Sequence, residues 1–167
     1  MKRRKLIIST VIALIVCGAA VFLTCIRQDD NAKIRRVIFK FVRLAEKPDH
    51  ASAAELAVKL RTLQTVFCDE VTLDIRHPAI SEKYSPRSLE PLLVRYRKHF
   101  NHADASLSDL EINISGERAD ALFSVHLTGV TLRRHRVDEV RDVNCTLIRA
   151  DGAWRIEKVS ITNVLER

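Results

Sequence analysis

Leu6 to Ile26, LIISTVIALIVCGAAVFLTCI, runs for 21 residues without a charge. At ~1.5 Å rise per residue that is ~31 Å of helix, the thickness of a ~30 Å hydrocarbon core. A lone apolar segment there has no water to bond its backbone, so it must be helical. Lys2, Arg3, Arg4 and Lys5 precede it, and Arg27, Asp29 and Asp30 follow. The positive-inside bias then keeps the amino terminus in the cytoplasm and carries the rest of the chain across. The expected layout is a basic stub over 1–5, a transmembrane helix over 6–26 and an extracytoplasmic domain over 27–167, in the inner or plasma membrane. A cleaved signal peptide is the rival, since Gly18, Ala19 and Ala20 could be cut. Against it, Val21, Phe22 and Leu23 continue the apolar run. Neither Cys17 nor Cys25 follows the small residue that a lipoprotein signal needs.

This segment also explains much of the charge. The chain carries +7, and Lys2 to Lys5 supply four of those charges, leaving 24 basic against 21 acidic residues. A nucleic-acid binder concentrates its positive charge along a phosphate track. Here the signs are mixed beyond the stub, so no nucleic-acid partner is expected. The 167 residues leave room for one folded domain. With four glycines and no GxGxxG, GxxxxGK[ST] or GxSxG, dinucleotide, P-loop and α/β-hydrolase chemistry have no basis.

Past the span the hydrophobic period is helical. Ile34, Val37, Ile38, Phe41 and Ala45 form one stripe, closed near Lys47-Pro48. Leu56, Leu60, Leu63 and Phe67 form a second from Ala51–Ala53 onward, with Glu55 and Lys59 as an i,i+4 pair expected on its surface. Val71, Leu73 and Ile75 then alternate as a short strand, closed by His77-Pro78. Ser85-Pro86 opens a third helix, with Leu89, Leu92, Leu93, Tyr96 and Phe100 on its buried face. The rest reads as strands over Leu107–Ser115, Ala119–Arg133, Val137–Arg149 and Ala153–Ile161. Gly129 marks a bend, and Asp151-Gly152 a tight hairpin turn. Three amphipathic helices can cover the apolar side of such a curved sheet, which gives an α+β class.

This order, with the segments Phe67–Leu73, Arg118–Val125 and Asp151–Glu157, resembles the nuclear transport factor 2-like (SnoaL-like) superfamily over roughly residues 34–161. The resemblance implies a cone, with three helices packed in a curved antiparallel sheet, here preceded by one transmembrane helix. A membrane helix joined to this fold also resembles VirB8-like secretion-system subunits. Whether the open end of the cone is filled or left as a pocket is not legible from sequence.

Enzymes of that superfamily resemble proton-transfer catalysts with an Asp–His pair or an Asp–Tyr arrangement inside the cone. Acid–base work of this kind needs a titratable group with its pKa moved by burial or a partner. If the chain were an enzyme, His126 as base and Asp142 as its orienting carboxylate are the pair to test; the bland alternative puts both on the solvent face. Asp74, Tyr96 and Trp154 are the candidate pocket residues, with core packing the preferred role for Trp154. Arg133, Arg134 and Arg136 form a basic cluster at an expected strand turn, suited to an anionic partner or simply to solvation. His99, His102 and Asp104 have too common a spacing to define a metal site, so no metal or cofactor is expected. Cys68 and Cys145 lack CxxC spacing and suit either one bridge or two buried thiols.

The function expected first is therefore a non-enzymatic, membrane-anchored interaction or scaffold domain, with a protein partner or a homodimer, as part of an envelope complex. The alternative is a small-molecule-binding domain, or an isomerase- or dehydratase-like enzyme, using the interior of the cone.

Overall fold

The computed structural model describes residues 29–75 and 80–166. The expected span over 6–26 and His77 lie outside the described residues. Among those described, no helix is long and apolar enough to cross a membrane.

The first helix, α1, covers 29–42. Ile34, Ile38 and Val42 recur at four-residue steps and are buried, with Val37 and Phe41 packed beside them. It stops earlier than Lys47-Pro48 because Lys47 is needed elsewhere: its backbone exchanges hydrogen bonds with Ala103, N–H to O at 2.7 Å and the reverse at 2.9 Å. The second helix, α2 (Ala53–Val66), starts at Ser52, whose hydroxyl accepts from the Glu55 N–H at 3.1 Å. Its buried residues are Leu63 and Val66. Phe67, expected on its stripe, is instead its C-cap and the first residue of strand β1 (Phe67–Ile75). The third helix, α3 (Pro86–His99), starts as expected at Ser85, with a Ser85–Ser88 capping box and proline in its first turn.

Strands β2 (Ile80–Tyr84), β3 (Phe100–Ser115), β4 (Arg118–Thr131), β5 (Arg136–Ala150) and β6 (Ala153–Glu166) complete one six-stranded sheet, in the order β2-β1-β6-β5-β4-β3. Every neighbouring pair is antiparallel except β1 with β6. That parallel pair corrects the expected all-antiparallel sheet. The reason is topological: β1 leaves α2 before the meander begins, and β6 returns to pair beside it. Strand β2 was not expected, since its sequence ISEKY has no apolar alternation; it is held by backbone pairing with β1 from Val71↔Tyr84 to Ile75↔Ile80. Strand β3 also begins seven residues before Leu107, with Ala103 fully buried inside a stretch that otherwise reads as polar.

The Asp151-Gly152 turn is as expected, both residues having positive φ, 51° and 75°. At Gly129 the backbone is ordinary, but a Cβ there would lie 2.6 Å from the His102 carbonyl oxygen. The register shift sits opposite, in β3, between Phe100 and His102. Glycine thus permits a close approach of two strands. The core joins both layers: Ile34, Ile38 and Val66 from helices meet Val71, Phe123, Cys145, Leu147 and Ile156 from the concave face of the sheet. Phe41 lies edge-on to Phe67 at 5.9 Å and to Phe123 at 6.4 Å.

Polar groups close the other end of the helical layer. Arg97, 5% exposed, donates to the Glu46 carbonyl at 2.6 Å and to Glu55 Oε1 at 3.0 Å. Lys59 Nζ donates to the Arg43 and Glu46 carbonyls at 2.5 and 2.6 Å. These cations satisfy carbonyls just beyond the end of α1, where the Arg43 carbonyl also accepts from the Glu46 N–H at 3.3 Å. The Glu55–Lys59 pair is therefore part of a half-buried cluster, 3.7 Å apart, and not the surface pair expected. Burial and the neighbouring Arg97 charge push the Lys59 ammonium below the usual lysine range.

Candidate functional site: an apolar cavity in the cone

Between the helices and the concave face of the sheet a cavity of about 600 Å³ remains open. Phe41 and Leu63 line it from α1 and α2, Leu93 and Tyr96 from α3, Val125 and Leu127 from β4. This answers the question that sequence leaves open: the cone is not plugged. Leu92, 44% exposed, and the partly exposed Glu139 and Arg141 mark where the cavity meets solvent.

The titratable residues on its wall are Tyr96, His99, Glu139 and Arg141. Val137, Glu139, Arg141 and Val143 share the inner face of β5 because side chains alternate along a strand. Glu139 and Arg141 form an ion pair, with Arg141 Nε and Nη2 donating to the same carboxylate oxygen, Oε2, at 2.9 and 2.5 Å. The Tyr96 hydroxyl donates to the Ala45 carbonyl at 3.1 Å. Burial pushes that hydroxyl up to about 12, against the opposing pull of Arg141 and Arg97. At ordinary pH it is a fixed, neutral hydrogen-bonding group. His99 stands edge-on to Phe100 at 5.5 Å.

Of the three expected pocket residues, only Tyr96 lines the cavity. Asp74 lies between Leu73 and Ile75, which do line it, so strand alternation turns Asp74 to the outer face, 3.4 Å from Lys158 Nζ. Trp154, 3% exposed, belongs to the core beneath the Arg149 guanidinium, 5.1 Å from its ring centroid. His126 and Asp142 are also outside the cone. In β4, Phe123, Val125 and Leu127 point inward, so Ser124 and His126 point outward. His126 bonds Asp138 at 2.6 Å and Asp142 accepts from Ser124 at 2.8 Å. The proposed base and its orienting carboxylate therefore do not face the cavity.

Arg133, Arg134 and Arg136 are exposed at the β4–β5 turn, where Arg134 takes a positive φ of 63°. His99 faces the cavity, while His102 bonds Asp104 at 2.7 Å on the wall of a separate, polar hollow. The described residues hold no group of three metal-ligating side chains. Cys68 and Cys145 are buried free thiols, both shifted upward by burial.

Sequence reasoning weighed His99 only as a metal ligand and missed Glu139 and Arg141. The signal for the last two was present: they are in phase with Val137, Val143, Cys145 and Leu147, which mark the buried side of β5.

No protein-family model matches the chain, and no curated protein matches it in sequence. Solved structures do match. Kfla4162 from Kribbella flavida superposes with a TM-score of 0.69 at 15% identity, over 83% of this chain and 95% of that one. Hexachlorocyclohexane dehydrochlorinase LinA-type3 from Novosphingobium barchaimii gives 0.66 at 12%, over 84% and 92%. A nuclear transport factor 2-like superfamily protein from Salmonella enterica gives 0.63 at 14%, over 79% and 89%. The chain has the NTF2-like fold. The VirB8-like layout depends on residues 6–26 and gains no support from these likenesses.

Proposed function

We propose that the domain binds a small, largely apolar molecule inside the cone and is held at the membrane by residues 6–26. The observation that carries this reading is the cavity of about 600 Å³, apolar on most of its wall and carrying a few convergent polar groups. Volumes of ~300–1,000 Å³ with such a lining are typical of small-molecule sites. The likeness to a dehydrochlorinase supports an interior site rather than the scaffold reading. Of the titratable groups on the described wall, Glu139 is held by Arg141 and Tyr96 is fixed on a backbone carbonyl, which leaves His99 as the one candidate for acid–base work. The expected protein partner or homodimer draws no support from the cavity.

The test is thermal unfolding of the full-length chain with a panel of naphthalene-sized ligands. A ligand at a hundred times its Kd should stabilise by ~2.7 kcal/mol. Leu127→Trp, which puts an indole into the cavity, should abolish that shift without lowering the midpoint of the free protein. If nothing in an apolar panel moves the wild-type midpoint, the reading fails.

A further inference from the structure

We propose that the β4–β5 turn, Leu132 to Arg136, docks on an anionic lipid surface, with its arginines on the headgroup phosphates and Leu132 reaching the edge of the acyl layer. This is independent of what the cone binds.

The turn is exposed throughout, and Leu132 keeps 61% of its surface in water. Its backbone is fixed in that position. The Leu132 N–H donates to the His99 carbonyl at 3.0 Å, the Arg134 N–H to the Thr131 carbonyl at 2.9 Å, and the Thr131 N–H to the His135 carbonyl at 2.9 Å. Beneath the turn the buried Thr131 hydroxyl accepts from the His135 N–H at 3.2 Å. Arg134 has a positive φ of 63°, a conformation that glycine or asparagine adopts at less cost. What arginine adds at that position is its charge.

Among the described residues Arg133, Arg134 and Arg136 make no ion pair or side-chain hydrogen bond, and neither does Lys98 in the last turn of α3. His99 and His135 add charge only when protonated. The acids nearest along the strands are Asp138, bonded to His126, Glu139, bonded to Arg141, and Glu166, level with Glu139 on β6. At ~3.4 Å per residue they begin ~7 Å back from Arg136 and reach ~10 Å. That is about one Debye length at physiological salt, so the tip keeps its positive field.

The exposed leucine decides the kind of anion. A polyanion with no apolar part would leave it in water. A stable protein interface needs ~1,200–2,000 Å² of buried surface, more than one projecting turn supplies. A bilayer needs no matching shape, and cations flanking an apolar residue suit its interface. Each arginine at an anionic lipid surface is worth about fivefold in affinity.

The experiment places the full-length chain with Leu132→Trp in lipid nanodiscs. The natural tryptophan, Trp154, is buried and does not meet lipid. Brominated phosphatidylglycerol, put either in the disc or in added vesicles, should quench the new indole in at least one arrangement, and high salt should relieve the quenching. Arg134→Gly on this background should raise the phosphatidylglycerol needed for half quenching about fivefold without lowering the unfolding midpoint, since glycine suits that backbone. Combining it with Arg133→Ser and Arg136→Ser should abolish quenching. No quenching in either arrangement, equal quenching by brominated phosphatidylcholine, or quenching that survives loss of all three arginines overturns the proposal. A blue shift with soluble poly-glutamate and none with lipid also overturns it, and would assign the turn to an acidic protein instead.

Discussion

Tyr96 shows how one side chain on the cavity wall acquires its character from its surroundings. Its ring lies beside Phe100, 5.0 Å between centroids, and its hydroxyl is anchored on the Ala45 carbonyl. Moving it from water penalises the phenolate, so its pKa rises from the ordinary ~10 to about 12. The folded state then holds its proton more tightly than the unfolded chain between those values. The stabilisation this represents is present in full below pH 10 and is lost as pH rises toward 12. An absorbance titration near 295 nm should show a tyrosine step at about 12 that disappears in Tyr96→Phe, and the variant's stability should fall less steeply above pH 10. A single step at the ordinary tyrosine value in the folded wild type would contradict the burial. Arg97 makes a related point about legibility. It lies at four-residue steps from Leu89 and Leu93, so its phase announces burial, yet its charge argues for solvent. Only the Glu46 carbonyl and the Glu55 carboxylate, contributed from elsewhere in the chain, make the buried position affordable.

Elements built on strong periodicity were legible, and those stabilised by partners were not. The buried stripe of α1, the cap of α3 and the Asp151-Gly152 hairpin each follow from local chemistry. Strand β2 and the first half of β3 carry no such pattern; they are strands because a neighbour supplies hydrogen bonds along their length. The contact of β3 with β4 near Gly129 is the tightest expression of this. Ala103 pairs with Gly129, and the His102 carbonyl occupies the space of a Cβ. Gly129→Ala must push backbone against backbone, with no flexible side chain to yield. A loss of ~1–3 kcal/mol in urea unfolding is expected, in the range of overpacked sites. A loss within ~0.5 kcal/mol, the ordinary scatter of surface substitutions, would mean that the strands do not approach so closely.

For the molecule as a whole, the proposed reading is a binding domain tethered by the apolar run over 6–26, and each half of it has its own test. Membranes washed with alkaline carbonate should retain the full-length chain, with a carboxyl-terminal tag protected from protease added on the cytoplasmic side; release of the intact chain, or a tag cut from the cytoplasm, would overturn the anchoring. The amino-acid sequence by itself determined the three helices, the long strands and the class of fold, because amphipathic period and turn residues act within a few positions of one another. In β4 and β5 it also held the inside–outside phase, with Phe123, Val125 and Leu127 against Ser124 and His126. Tertiary structure alone decided that the cone stays open, that β1 joins β6 in parallel, and that Glu139 and Arg141 rather than His126 and Asp142 face its interior. Those outcomes depend on which faces of distant segments meet. An empty volume belongs to no residue: it is what remains when helices and sheet have satisfied their other contacts.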